Sequence, residues 1–370
     1  MLGLLRDGPE WRPPQDAARC RRLALELGYF GLDSAALDAA LAPPALAPHG
    51  HTILTLFGAR HRYRGDGDRS FIIDTASGGA TVVDLGLAAA IGLPCIDSEC
   101  VAALPDGRVL IWNVQSVTHP GCQRTQVLHL GEGLDAAGKP RRISEAAPAY
   151  GSSMTRRALQ RNEFPTPGTG ATIGGRAMCF GGVSDPDGED LRLATTQWFD
   201  EGVGRWLEGP PMPVPDMRPA VAEHGGCALA FLSDALWRYD PRAPAWASVT
   251  PLTAPVSHYA SVAVVGDRLL VIGGNSADVR CFDLRAGRWE EAGAAGAPPR
   301  HLRAYASAVA VGSEVWCVGG RTEGPDSAGI EIYSAHTNTW RSGGRLPGGW
   351  AFQWSSVGVN KLVAIPKMRC

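Results

Sequence analysis

Arginine, histidine and tyrosine gather at three places where charged chemistry is possible. Arg218 follows the stretch "MPVPDM", Ser257, His258 and Tyr259 stand together, and Arg300, His301, Arg303 and Tyr305 crowd into one short segment. A guanidinium is a planar fork that bonds a carboxylate through two parallel N–H···O contacts, each stronger than a neutral hydrogen bond. Such a set suits an acidic peptide; the plainer alternative is that the arginines only cover a rim. Other chemistry finds little support. His49 and His51, with His61 nearby, are ligand types without Cys or carboxylate companions at ligand spacing, and they read as surface histidines. "GTGATIGG" at 168–175 is glycine-rich, but it leads into a strand, so no helix N-terminus stands ready for a phosphate. No GxSxG, HExxH or Walker pattern occurs. No catalytic residue, metal or cofactor is assigned.

The totals narrow the class. A formal net charge of −2 gives no general pull toward nucleic acid or an anionic membrane, so neither is expected as a partner. Nine cysteines without a CxxC pair read as reduced, mostly buried thiols. Arg6 and Asp7 interrupt the start where a signal peptide would be apolar, and no run reaches the ~18 apolar residues of a membrane span. Cytoplasmic placement is the resulting expectation.

The elements that must hold these side chains are set by an internal repeat. Four tryptophans each follow an aromatic residue by seven positions: Phe199 and Trp206, Tyr239 and Trp246, Phe282 and Trp289, Tyr333 and Trp340. Upstream, a double glycine ends an apolar run in three of the four units, at Gly181-Gly182, Gly273-Gly274 and Gly319-Gly320. Turn glycines Gly174, Gly266 and Gly312 each precede such a pair by seven residues. Short β-branched runs such as "SVAVV" and "RLLVI", joined at Gly266-Asp267, read as strands of a hairpin buried on both faces. A glycine pair at a strand end lets the chain turn and lets another backbone come close. The aromatic and the Trp would sit on neighbouring strands and pack between repeats.

This order of apolar strand, double glycine, loop, aromatic and Trp resembles the kelch repeat. The resemblance implies one four-stranded propeller blade per unit. The expected fold is all-β: a six-bladed kelch propeller over 51–370, with seven blades as the alternative and a short helical segment in front. The stretch 100–130 reads as a degenerate unit, and "WSSVGVNKLVAIP" near the C-terminus is expected to complete a first blade at about 51–85.

Residues 1–41 have a helical pattern, and 42–50 is a Pro-rich linker. "LLRDG" at 4–8, Pro13-Pro14 and "YFGL" at 29–32 resemble the end of a potassium-channel-tetramerisation type BTB domain. The front of that domain is not in the sequence, which reads as a truncated N-terminus. Together the two likenesses imply a BTB-kelch protein, a substrate adaptor for a cullin-RING ubiquitin ligase. Its kelch face would bind a protein or acidic peptide, and a complete BTB domain would meet the cullin scaffold. In kelch propellers the segments leading into the blades often form an arginine-lined partner face, which implies that role for Arg218, Ser257, His258, Tyr259, Arg300, His301 and Arg303. The alternative is a propeller enzyme, of sugar isomerase, mutarotase or oxidase type, acting on a small ligand in the central channel.

Overall fold

The structure is a computed structural model that describes residues 52–55, 70–76, 80–83, 96–97, 100–116, 124–130, 142–146, 166–184, 191–232, 235–251, 260–273, 279–291, 295–296, 306–319, 329–346 and 362–365. The helical pattern of 1–41, the linker 42–50, His49, His51 and His61 lie outside these residues. Among the described residues there is no helix long and apolar enough to cross a membrane.

The described residues build antiparallel sheets in chain order. Five are contiguous blades: blade I spans 96–146, blade II 166–208, blade III 220–251, blade IV 260–289 and blade V 307–345. Thr52–Thr55, Ser70–Asp74, Ala80–Val83 and Leu362–Ile365 form a further sheet drawn from both ends of the chain. Its C-terminal strand pairs antiparallel with Thr52–Thr55, from Thr52 opposite Ile365 to Thr55 opposite Leu362. The expectation of a six-bladed propeller behind a helical segment therefore needs correction. The contiguous blades number five, the sheet of the two ends is of different construction, and no helix occurs among the described residues. The physical reason is that the strands drawn from 52–83 and 362–365 lack the aromatic-to-Trp spacing that marks the contiguous repeats of blades II to V.

The strands follow from their residues. "CALAFL" at Cys227–Leu232 is buried at every position, as a central strand covered on both faces must be. "AWASVTP" at Ala245–Pro251, an outer strand, is mostly exposed. Inner and second strands are joined by tight hairpins with positive-φ glycines, such as Gly225 at 58° and Gly266 at 58°. The core lies between blades. Cys100, Leu110 and Trp112 of blade I pack with Cys179, Phe199 and Trp206 of blade II, and Leu270 and Cys281 of blade IV pack with Val315 and Tyr333 of blade V.

Each aromatic stands directly opposite its Trp on the neighbouring strand. The ring centroids are 5.6 Å apart for Phe199–Trp206, 5.2 Å for Tyr239–Trp246, and 5.3 Å for both Phe282–Trp289 and Tyr333–Trp340. Of the four tryptophans only Trp206 is fully buried; Trp246, Trp289 and Trp340 are half-buried at blade contacts. Trp289 reaches back to Phe231 of blade III at 6.0 Å.

The double glycine has a steric cause. Gly181 has φ 71°, and a Cβ there would collide with the carbonyl oxygen of Asp216. Gly181→Ala should thus destabilise the fold by at least ~2 kcal/mol. Gly225 also has a positive φ, 58°, but nothing lies within 4 Å of a Cβ there, and Gly225→Ala should cost about 1 kcal/mol. Urea unfolding of the two variants measures the difference, and equal losses would remove the close-approach explanation.

Candidate partner-binding face

Arg218 sits at the end of the segment 209–219, which joins blade II to blade III. Five prolines make this segment stiff: Pro210, Pro211, Pro213, Pro215 and Pro219. Backbone bonds pin it along the edge of blade II. Gly209 N–H donates to Thr196 O at 2.8 Å, Met212 N–H to Ala194 O at 2.8 Å, and Asp216 N–H to Leu193 O at 3.1 Å. Met212 is buried among Phe180 of blade II and Val221 and Tyr239 of blade III.

Asp216 ties this segment to the double glycine. It is 1% exposed, its carbonyl oxygen accepts the Gly182 N–H at 3.0 Å, and its carboxylate accepts the Arg218 N–H at 2.8 Å. An Asp that bonds the backbone two residues on makes a local turn. Arg218 is thereby fixed in its backbone and half-buried, just ahead of the inner strand Ala220–His224.

The other residues expected on this face, Ser257, His258, Tyr259, Arg300, His301 and Arg303, lie outside the described residues, as do Gly274 and Gly320. In the chain the first three directly precede the inner strand Ala260–Val265, and the next three lie shortly before the inner strand Ser307–Val311. Arg218 holds the corresponding place in the chain before blade III.

The structure adds polar residues that sequence reasoning passed over. Cys100, Thr169 and Ser261 occupy one register position on three inner strands, opposite Trp112, Phe180 and Ile272. Each donates to a backbone carbonyl of the following blade or the residue leading into it. The Cys100 thiol bonds Gly168 O at 3.0 Å, the Thr169 hydroxyl bonds Pro219 O, and the Ser261 hydroxyl bonds Ala306 O. Three different side chains share one donor role, and that change of identity hid the pattern in the sequence. The register count from each hairpin was the signal that could have found it.

A second set stands at the hairpin end. Arg268 of blade IV donates to Tyr333 Oη and Asn338 Oδ1 of blade V, both at 3.0 Å, and pairs with Glu290 at 3.0 Å. Tyr333 Oη in turn donates to Asn338 Oδ1 at 2.7 Å. Asn338 has φ 54°, the left-handed conformation that Asn tolerates better than most residues. Nearby, burial pushes the Cys281 thiol up to about 12, with the charge of Glu290 adding to it. The thiol stays protonated at neutral pH and serves packing, since the thiolate is the reactive form. Cys100, Cys179, Cys227, Cys281 and Cys317 are buried thiols that form no disulfide. Among the described residues no three His, Cys, Asp or Glu side chains form a group that could hold a metal ion.

Ser261→Ala should lower stability by about 1 kcal/mol, because the Ala306 carbonyl loses its donor in a buried place. Ser261→Thr keeps a hydroxyl at the same atom and should retain most of that stability. Urea midpoints of the two variants test this; equal losses would mean that volume, not the hydrogen bond, matters there.

With this geometry in view, comparisons with known proteins point the same way. Residues 302–347 match the Kelch motif. Kelch-like protein 34 of Homo sapiens is 40% identical over 105 residues, covering 26% of this chain and 16% of that protein. Kelch-like protein 35 of Mus musculus is 32% identical over 116 residues, covering 30% of this chain and 18% of the relative. Kelch-like protein 38 of Homo sapiens is 24% identical over 182 residues, or 45% of this chain and 30% of its own length. The matches thus span less than a third of each of these relatives. Repeat, blade geometry and matches together support a kelch-repeat protein with an all-β propeller fold.

Proposed function

We propose that this chain is a protein-binding propeller, and that its partner presents carboxylates to Arg218 and to the segments 257–259 and 300–303. The observation that carries the reading is the placement of Arg218. Its backbone is held by the buried Asp216 on a proline-stiffened segment pinned to blade II. A recognition residue on such a support loses little entropy when it binds. The side chain supplies the fork geometry that carboxylates fit. Kelch-like relatives fit a binding role rather than catalysis, but their names specify no ligand.

The finer reading is a substrate-recognition part of a BTB-kelch adaptor for a cullin-RING ubiquitin ligase. It rests on the likeness of 1–41 to the end of a BTB domain. In that reading the kelch face selects the substrate, and a complete BTB domain contacts the cullin scaffold.

The test is binding of a fluorescent Glu- and Asp-rich peptide series at low and raised salt, with wild type, Arg218→Ala, Arg218→Lys and Arg300→Ala. Each alanine change should weaken binding roughly tenfold at unchanged melting temperature. Arg218→Lys should weaken it as well, because the bidentate geometry is lost. Equal binding by all four proteins would remove this face as the site.

A further inference from the structure

The contacts between consecutive blades I to V are not equivalent: among the described residues, seams I–II, II–III and IV–V each carry at least one polar link, and seam III–IV carries none. Three register positions show this. On the inner strand, Cys100, Thr169 and Ser261 each bond a carbonyl across the seam. The same position in blade III is Ala220, opposite Phe231. At the first residue of the second strand, Arg108 pairs with Glu201 of blade II, and Arg268 bonds Tyr333 and Asn338 of blade V. In blade III this residue is Cys227, whose Sγ takes Arg238 Nη2 of its own blade at 3.0 Å.

The third position faces the repeat tryptophan. Thr125 of blade I accepts the Trp206 indole N–H at 3.1 Å, and the Trp340 indole reaches Ala295 O at 3.2 Å. The blade III residue at the place of Thr125 is Leu236, opposite Phe231, and Trp289 Nε1, like Trp246 Nε1 at seam II–III, is buried with no hydrogen-bond partner. Among the described residues, no hydrogen bond or ion pair joins blade III to blade IV. What joins them is apolar: Leu229, Phe231 and Leu236 against Val262, Val271 and Phe282.

We infer that, of the four seams joining blades I to V, the one between blades III and IV is the joint that opens first. Apolar contact is non-directional, so two apolar faces can slide or part by small steps without losing a fixed geometry. A hydrogen bond weakens steeply with misalignment, and a buried carbonyl parted from its donor bears a desolvation cost. Seams I–II, II–III and IV–V therefore resist the first movement, and seam III–IV does not. Local openings below global unfolding start where such locks are fewest. The inference does not depend on which ligand the propeller holds.

Native-state thiol labelling reads each seam separately. Cys179 reports seam I–II and Cys281 reports seam IV–V; both are buried. Val271→Cys, and independently Val262→Cys, place a reporter in seam III–IV. Rates are normalised to the same thiol in the urea-unfolded chain, which removes differences in intrinsic reactivity. The seam III–IV reporters should label roughly tenfold faster than Cys179 and Cys281. Adding Ala220→Ser and Leu236→Thr to the Val271→Cys protein should slow that reporter and leave Cys179 unchanged. If either III–IV reporter labels no faster than Cys179 and Cys281, or all thiols label together at the global unfolding rate, the joint is not there. Two reporters at different sites separate a true opening from damage by one substitution.

Discussion

Every blade has two apolar faces and no means of burying either by itself. That constraint governs the rest of the molecule. The buried side chains fall into clusters that straddle neighbouring blades: Trp112 with Trp206, Phe180 with Tyr239, Phe231 with Trp289. Closing the ring is then a requirement for each sheet, because a terminal blade would leave one face and one edge open. The strand Leu362–Ile365 meets it by pairing with Thr52–Thr55, while Ile53 and Ile73 pack on Trp316 and Ile332 of blade V. The chain ends are joined by a hydrogen-bonded ladder, which is directional, whereas among the described residues blades III and IV are joined by apolar contact alone.

Apolar packing makes the ring compact, but it sets relative blade position only loosely. Register comes from a small number of polar contacts placed at repeated positions. A thiol or hydroxyl on the inner strand grips the next backbone near the channel side, and an arginine on the second strand reaches the next blade at the hairpin end. Each is worth about 1 kcal/mol net, little against the burial beside it. Their value lies in direction, since each holds only one alignment.

The same economy applies to the segment carrying Arg218. Its prolines remove backbone freedom, its amides are tied to blade II, and Asp216 spends a buried carboxylate on local backbone donors. Gly181 must lack a side chain so that this segment can lie against the sheet. The double glycine of the repeat is thus more than a strand ending. It allows the segment leading into the next blade to come close, and so connects the packing of one blade to the presentation of residues at the entrance of the following one.

The repeat itself was legible in one dimension. Seven positions between aromatic and Trp are a hairpin's length, so Phe199 and Trp206 had to face each other once strands formed. Positive-φ glycines mark hairpins because few other residues accept that backbone. The pairing of the chain ends also followed from the need to close the sheet. The count of like blades did not, because a sheet shared between 52–83 and 362–365 carries no repeat signature of its own. The donor role shared by Cys100, Thr169 and Ser261 was hidden as well, since chemical identity varies while register is kept. The buried tie from Asp216 to Gly182 exists only when the segment 209–219 is folded back onto blade II. Sequence determined the strands, the turns and the partners across each hairpin, because these depend on residues close together in the chain. Which seams are locked by polar contacts and which is dry was decided by tertiary structure, because a cross-blade bond needs a donor and an acceptor that local sequence does not bring together.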